Sequence, residues 1–220
     1  MRSPERFPFL ATALLSALPS GLAVSPRWEL EARVGGAWSA PVPIVIRQQG
    51  EEDLRLTARW RTEAFAPPIY YAWRVARWSG RAAWALGLIH HKVHLRNPPA
   101  EVHDLSVSHG YNLVALEHVR ERDGWRYGVG AGAVLAHPES EVRGRRFEGN
   151  RGLLGAGYYV AGPTAGVFVG RSHPEQGRLR AAAEARLTLS HARVPIAGGS
   201  AHVPNLAAHA SVGLGWWARP

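Results

Sequence analysis

Apolar and polar residues alternate over stretches of ten residues and more in this chain, and almost nowhere after residue 24 does a long apolar run or a helical stripe replace that pattern. Successive side chains of a strand point to opposite faces, so a period of two gives each stretch one oily face and one charged face. Between residues 179 and 191, one parity reads Leu179, Ala181, Ala183, Ala185, Leu187, Leu189, and the other carries Arg180, Glu184, Arg186, Thr188 and Ser190. Between 205 and 217, Leu206, Ala208, Ala210, Val212, Leu214 and Trp216 share a face opposite Asn205, His209 and Ser211. The first such stretch sets Trp28, Leu30, Ala32 and Val34 against Glu29, Glu31 and Arg33. A soluble sandwich also alternates, but its strands run about 5 to 6 residues. The spans here are longer: 27–38, 69–79, 81–95, 104–119, 124–137, 156–171, 178–193 and 203–217. A tilted strand of about 9 to 11 residues crosses the hydrocarbon layer of a bilayer, where only a closed sheet satisfies every backbone group. The pattern predicts an all-β chain forming an eight-stranded antiparallel transmembrane β-barrel.

The connections carry a second, independent signal. Short ones at 79–80, about 120–124 and 173–177 alternate with 39–68, 96–103, 138–155 and 194–202, which are mostly longer and contain proline and charge. Short periplasmic turns and longer extracellular loops are the arrangement of an outer-membrane barrel. Trp28, Trp78, Trp84, Trp125, Trp216 and Trp217 all fall near the short-turn end, where indoles form an interfacial girdle. In the first long connection, residues 44–48 and 54–61 also look extended and would make ten strands if they crossed the membrane. The 44–48 stretch is short for a crossing, so eight strands are expected.

The N-terminus departs from the alternation. Arg2 and Arg6 precede an apolar run from Phe9 to Leu18, and Gly21 and Ala23 provide a small-x-small site. This is the pattern of a secretory signal. Residues 1–23 are therefore expected to be a cleaved signal peptide and 24–220 the barrel domain, exported to a bacterial outer membrane and assembled there by the general insertion machinery. The absence of cysteine excludes disulfide scaffolds, cysteine-ligated zinc and thiol chemistry.

Several motifs carry a family resemblance. Ala66-Pro67-Pro68-Ile69-Tyr70-Tyr71 leads into one strand and His90-His91-Lys92-Val93 ends the next. His109-Gly110-Tyr111-Asn112-Leu113 lies on the fourth, and Gly130-Ala131-Gly132 runs to His137-Pro138-Glu139 on the fifth. Over about residues 65–140 the chain resembles the small outer-membrane barrels grouped with the rhizobial lipid A oxidase, and more broadly the eight-stranded barrels of the outer membrane protein A and W type. The resemblance implies this barrel fold and, from its oxidase-like branch, a lipid A-modifying activity at the outer leaflet with His91 and His109 as catalytic candidates. The chain carries Gly87, Ile89 and His109 where oxidase-like members carry Asp or Thr.

Charge narrows the chemistry. Glu29, Glu31, Arg33, Arg74, Glu184, Arg186 and His209 fall on the inward parity, and an eight-stranded barrel holds side chains rather than a wide channel. A salt-bridged plug is expected, and mixed signs in a narrow lumen argue against a porin. Eight of the eleven histidines fall in the long-loop half. A divalent metal among His91, His109, His137 and His209 competes there with a plain polar rim, because no helical or cysteine spacing marks a ligand set. If Trp84, Leu86 and Leu88 face lipid, His90, Lys92 and His94 turn outward above them. With Arg96, Arg143, Arg145 and Arg146 they are expected to meet lipopolysaccharide phosphates, giving the net charge of +9 an anionic partner. Nucleic acid is a poor partner for an exported chain with no basic helix. Gly128, Gly130, Gly132, Gly162 and Gly166 either leave an acyl pocket or let the wall bend. The expected function is lipid- or lipopolysaccharide-associated binding or structural support, with lipid A modification as the alternative.

Overall fold

The computed structural model describes residues 26–148, 152–153, 155–174 and 177–218, so the expected leader at 1–23 lies outside the described residues. Eight long strands form the wall: β1 (Arg27–Ser39), β5 (Tyr71–Ser79), β6 (Ala82–Leu95), β7 (Val102–Arg122), β8 (Trp125–Ala136), β11 (Tyr159–Pro174), β12 (Leu179–Ile196) and β13 (Gly199–Ala218). Each pairs antiparallel with its neighbour in that order, and β13 returns to β1 from Trp28↔Ala218 to Ser39↔Ala207, which closes the ring. Among the described residues, five short strands belong to the long connections: β2 (Val42–Gln48), β3 (Leu54–Ala58), β4 (Trp60–Arg61), β9 (Glu139–Val142) and β10 (Arg145–Glu148).

The ring settles eight strands against ten. β2 and β3 pair with each other, and β2 adds only to the outermost part of β13, from Gly199 to His202. Their apolar residues Ile44, Ile46 and Ala58, with Trp60 of β4, are buried together with Ile89, Val93, Tyr111, Val134, Val194 and Val203 of the wall. The insertion therefore caps the lumen at the long-loop end instead of crossing the membrane.

At the opposite end, β7 and β8 meet at Asp123-Gly124, both at positive φ (53° and 77°). That conformation matches the twist of a two-residue hairpin and suits this dipeptide. The expected loop at 194–202 is not a loop. β12 and β13 stay paired out to Ile196↔Gly199 and turn at Ala197-Gly198, because Val194, Ile196, Ala201 and Val203 keep alternating into the cap core.

The outward parity makes a continuous apolar surface. Leu86, Leu116, Val129, Val167, Leu187, Leu189, Val212 and Leu214 are all exposed, far more apolar surface than a water-soluble monomer leaves open. Trp28, Trp84, Trp125 and Trp216 rim it at the short-turn end. The chain is a small membrane-spanning barrel with a lipid-facing band.

Candidate functional site

The lumen is filled by an ion network. Arg74 donates to Glu117 at 2.7 Å, Glu184 at 2.6 Å and Glu31 at 3.0 Å. Arg186 bridges Glu117 at 2.6 Å and Glu184 at 3.0 Å. Arg33 pairs with Glu31 and, at 3.2 Å, with Glu184. Lower down, Arg126 reaches Glu29 at 2.8 Å, Glu31 at 2.9 Å and Glu121 at 3.0 Å, and Arg180 holds Glu121 at 3.2 Å. These form five carboxylates and five guanidiniums with no net charge. Buried ions persist only when paired and hydrogen-bonded in this way.

Sequence reasoning missed Glu117, Glu121, Arg126 and Arg180. The signal existed: the parity that places Glu184 and Arg186 inward also places Ala115, Glu117, Val119 and Glu121 on one face of β7, and Arg126 opposite Trp125 and Tyr127 on β8. The inward glycines are not an empty pocket. A Cβ at Gly128 would stand 2.5 Å from the Phe168 ring, and one at Gly87 would stand 2.5 Å from the Glu117 carboxylate. Their vacated space holds those side chains, and Arg74 and Arg186 both stack on Phe168 at 4.5 Å. His209 lies above, 3.3 Å from the Tyr70 hydroxyl and 2.9 Å from that of Thr188.

The catalytic candidates His91 and His109 are not brought together. His91 is fully buried in the lumen, its ring 5.2 Å from that of Tyr111 and 5.1 Å from that of His209. His109 is exposed on the rim. A bulge separates them: His91 pairs with Tyr111, but Val93 already pairs with Val107, so Ser108, His109 and Gly110 stand opposite Lys92 alone. Parity counted through this point is lost.

The expected lipopolysaccharide contacts need correction at two residues. His90 and Lys92 do face outward, yet both are buried, at 2% and 3% exposure. The segment before β5 folds over Lys92, whose Nζ donates to the Ala66 carbonyl at 2.9 Å, while His90 is held between the neighbouring strands, stacked on Tyr71 of β5 and bonded to Asn112 of β7 at 2.8 Å. His94 is half-buried 3.5 Å from Glu63, and burial pushes its pKa below the usual histidine value. Arg96 is exposed. Arg143 donates to the Glu52 carbonyl at 2.9 Å, Arg145 to Glu51 at 3.3 Å, and Arg146 pairs with Glu148 at 3.0 Å.

Nor does the basic excess sit above the membrane. Among the described residues, ten cations at the long-loop end face nine carboxylates, so that rim is nearly neutral. At the short-turn end, seven arginines face Asp123 alone. Three of them lie over the girdle indoles: Arg27 over Trp217 at 4.7 Å, Arg171 over Trp125 at 5.2 Å and Arg178 over Trp216 at 5.9 Å. A guanidinium stacked on an interfacial indole stands at the depth of lipid phosphates.

The bulge gathers another cluster. β7 leaves β8 at Tyr111↔Ala136 and continues outward against β9, with Ser106 opposite Glu139. His109 on the bulge, His137 just past β8 and Glu139 at the start of β9 thus meet, with His109 Nδ1 2.9 Å from Glu139 Oε1. Ser108 Oγ donates to the other Glu139 oxygen at 2.7 Å. Beside them is a cleft of about 500 Å³ lined in part by His103, Asp104, His137, Glu139 and Arg146. His191 and His202 form a separate histidine pair with rings 5.7 Å apart, where burial and then Arg47 lower the pKa of His202.

No family model and no curated protein matches the sequence. Among solved structures, the crystal structure of Neisserial surface protein A is similar at 10% identity, covering 86% of this chain and 96% of that chain with a TM-score of 0.43. The solid-state NMR structure of outer membrane protein AlkL in DMPC lipid bilayers is similar at 12% identity, covering 99% of this chain and 98% of that chain with a TM-score of 0.49. Membership of the lipid A oxidase-like branch finds no support in these comparisons, and the fold stands on the strand register and surface of this chain.

Proposed function

We propose that this barrel resides in a bacterial outer membrane as a closed, lipid-associated structural protein that binds lipid at its rims and passes no solute. The observation that carries this reading is the neutral ion network, buried except for Glu121 and Arg180 at its short-turn end, beneath an apolar cap and inside a wall whose other face is oily. Among the described residues such a lumen has no continuous polar path, so the partner is the surrounding membrane. On this reading the arginines beside the short-turn girdle hold phospholipid phosphates of the periplasmic leaflet. Arg96, Arg143, Arg145 and Arg146 then remain as the outer contacts to lipopolysaccharide, whose phosphates must compete with Glu51 and Glu148 for two of them. In planar bilayers the purified barrel is expected to give no conductance steps; regular ohmic steps from folded protein would overturn the closed-barrel reading.

A second reading, modification of lipid A, is favoured by the His109–His137–Glu139 cluster at the outer rim. Mass spectrometry of lipid A from cells with and without the protein decides it: a mass change that depends on these residues supports an enzyme, and identical spectra remove it.

A further inference from the structure

We propose that His109, His137 and Glu139 bind one divalent transition-metal ion of the zinc class at the outer rim. The inference is independent of whether that rim is catalytic. Each residue offers one ligand atom, and the three atoms lie within 4.8 Å of one another. Around a tetrahedral ion with bonds of about 2.0–2.2 Å, neighbouring ligand atoms stand roughly 3.4 Å apart. Side-chain rotation therefore suffices to close the site.

The backbone is built to hold these groups. Gly110 takes φ +134°, which ends the bulge and returns β7 to its ladder, and a Cβ there would stand 2.4 Å from the Asn112 amide. The His137 amide donates to the Gly110 carbonyl at 3.1 Å, which ties the two histidine-bearing segments together. Tyr158 donates to the His109 carbonyl at 3.1 Å and packs edge-on against His137 at 5.2 Å. Ser108 fixes the Glu139 carboxylate. Outer groups that orient ligands in this way are a regular feature of metal centres.

A simple ion pair between His109 and Glu139 is the competing role, but it leaves His137 unexplained. The Nδ1 of His137 is buried without a hydrogen bond, a costly state for a polar nitrogen unless something else binds the ring edge. Two imidazoles and one carboxylate suit zinc, cobalt, nickel or copper, whereas magnesium and calcium prefer all-oxygen sets. The cleft that His137 and Glu139 line gives a fourth ligand, such as water, access to the ion.

The test uses the untagged, folded barrel in detergent, with Co²⁺ as the probe. Titration is expected to saturate near one equivalent with the visible absorption of a tetrahedral ion, which Zn²⁺ abolishes and Mg²⁺ or Ca²⁺ leaves intact. His137→Ala and Glu139→Gln should each weaken binding at least tenfold, about the effect expected when a metal centre loses a supporting group. His202→Ala, in the separate histidine pair, should leave it unchanged. Heat-modifiable gel migration identifies folded samples, and His137→Gln replaces His137→Ala if the latter does not fold. No saturable Co²⁺ binding by the wild type, undiminished binding in folded His137 and Glu139 variants, or an equal loss in His202→Ala would overturn the proposal.

Discussion

Arg74→Met lowers the stability of the folded barrel by about 3–5 kcal/mol, the cost of removing one partner from a buried ion pair. Arg74 is 2% exposed and is the one guanidinium among the described residues that touches Glu31, Glu117 and Glu184 together. Methionine fills similar volume but leaves those three carboxylates sharing the remaining arginines in a space from which water is excluded. Glu117 keeps Arg186, Glu184 keeps Arg33 and Arg186, and Glu31 keeps Arg33 and Arg126. The loss is therefore one uncompensated negative charge, and it has a partner test. Arg74→Met combined with Glu117→Gln restores neutrality and should recover a substantial part of the stability. Arg74→Lys should fall between wild type and Met, since one ammonium keeps the charge but not the planar fork. Urea midpoints of the refolded barrel in micelles measure the series; a midpoint unchanged in Arg74→Met would show that the network carries no stability.

Leu187→Arg gives the second large effect and tests the membrane reading directly. Leu187 is 55% exposed and lies on the outer wall between Val167 of β11 and Ala208 of β13. It sits inside the apolar band that begins at Leu179, next to the Arg178–Trp216 pair, and gives way at His191 to polar residues, and it is the nearest leucine to the midpoint of that band at Ala185. An arginine at the bilayer midplane of a barrel costs about 2–4 kcal/mol. On a water-facing sheet the same change costs almost nothing, because it replaces an exposed apolar side chain by a solvated one. Unfolding titrations in phospholipid vesicles should show the full loss for Leu187→Arg and a much smaller one for Leu187→Ala. Equal stability of Leu187→Arg and wild type would mean that this face does not meet lipid.

Much of the fold was legible because it follows from local rules. Leu179 to Ser190 alternates with Ala182 as its one apolar residue on the polar parity, and β12 does run with its even-numbered residues inward and its leucines out. The Asp123-Gly124 pair marks a tight hairpin in the sequence and makes one in the structure. The site was less legible. Lys92 has the parity of a surface residue, but a segment more than twenty residues earlier in the chain covers it. His109 follows the pattern of β7 until a bulge removes it from the ladder, which no single-strand count foresees. The uneven distribution of arginine was available from a count by end, and the total of +9 concealed it.

By itself, then, the sequence determined which residues of each long strand face lipid and which face inward wherever no bulge interrupts the ladder, together with the expectation of eight crossings that ring closure then settled. Both follow from a two-residue repeat set against the fixed thickness of a bilayer, and neither depends on distant parts of the chain. Tertiary structure alone decided which ions pair, what the β2–β3 insertion caps, and that His109 meets His137 and Glu139. Arg74 and Glu184 are 110 residues apart in the chain, and only ring closure in one register places them 2.6 Å apart inside a lumen too narrow to leave either charge alone.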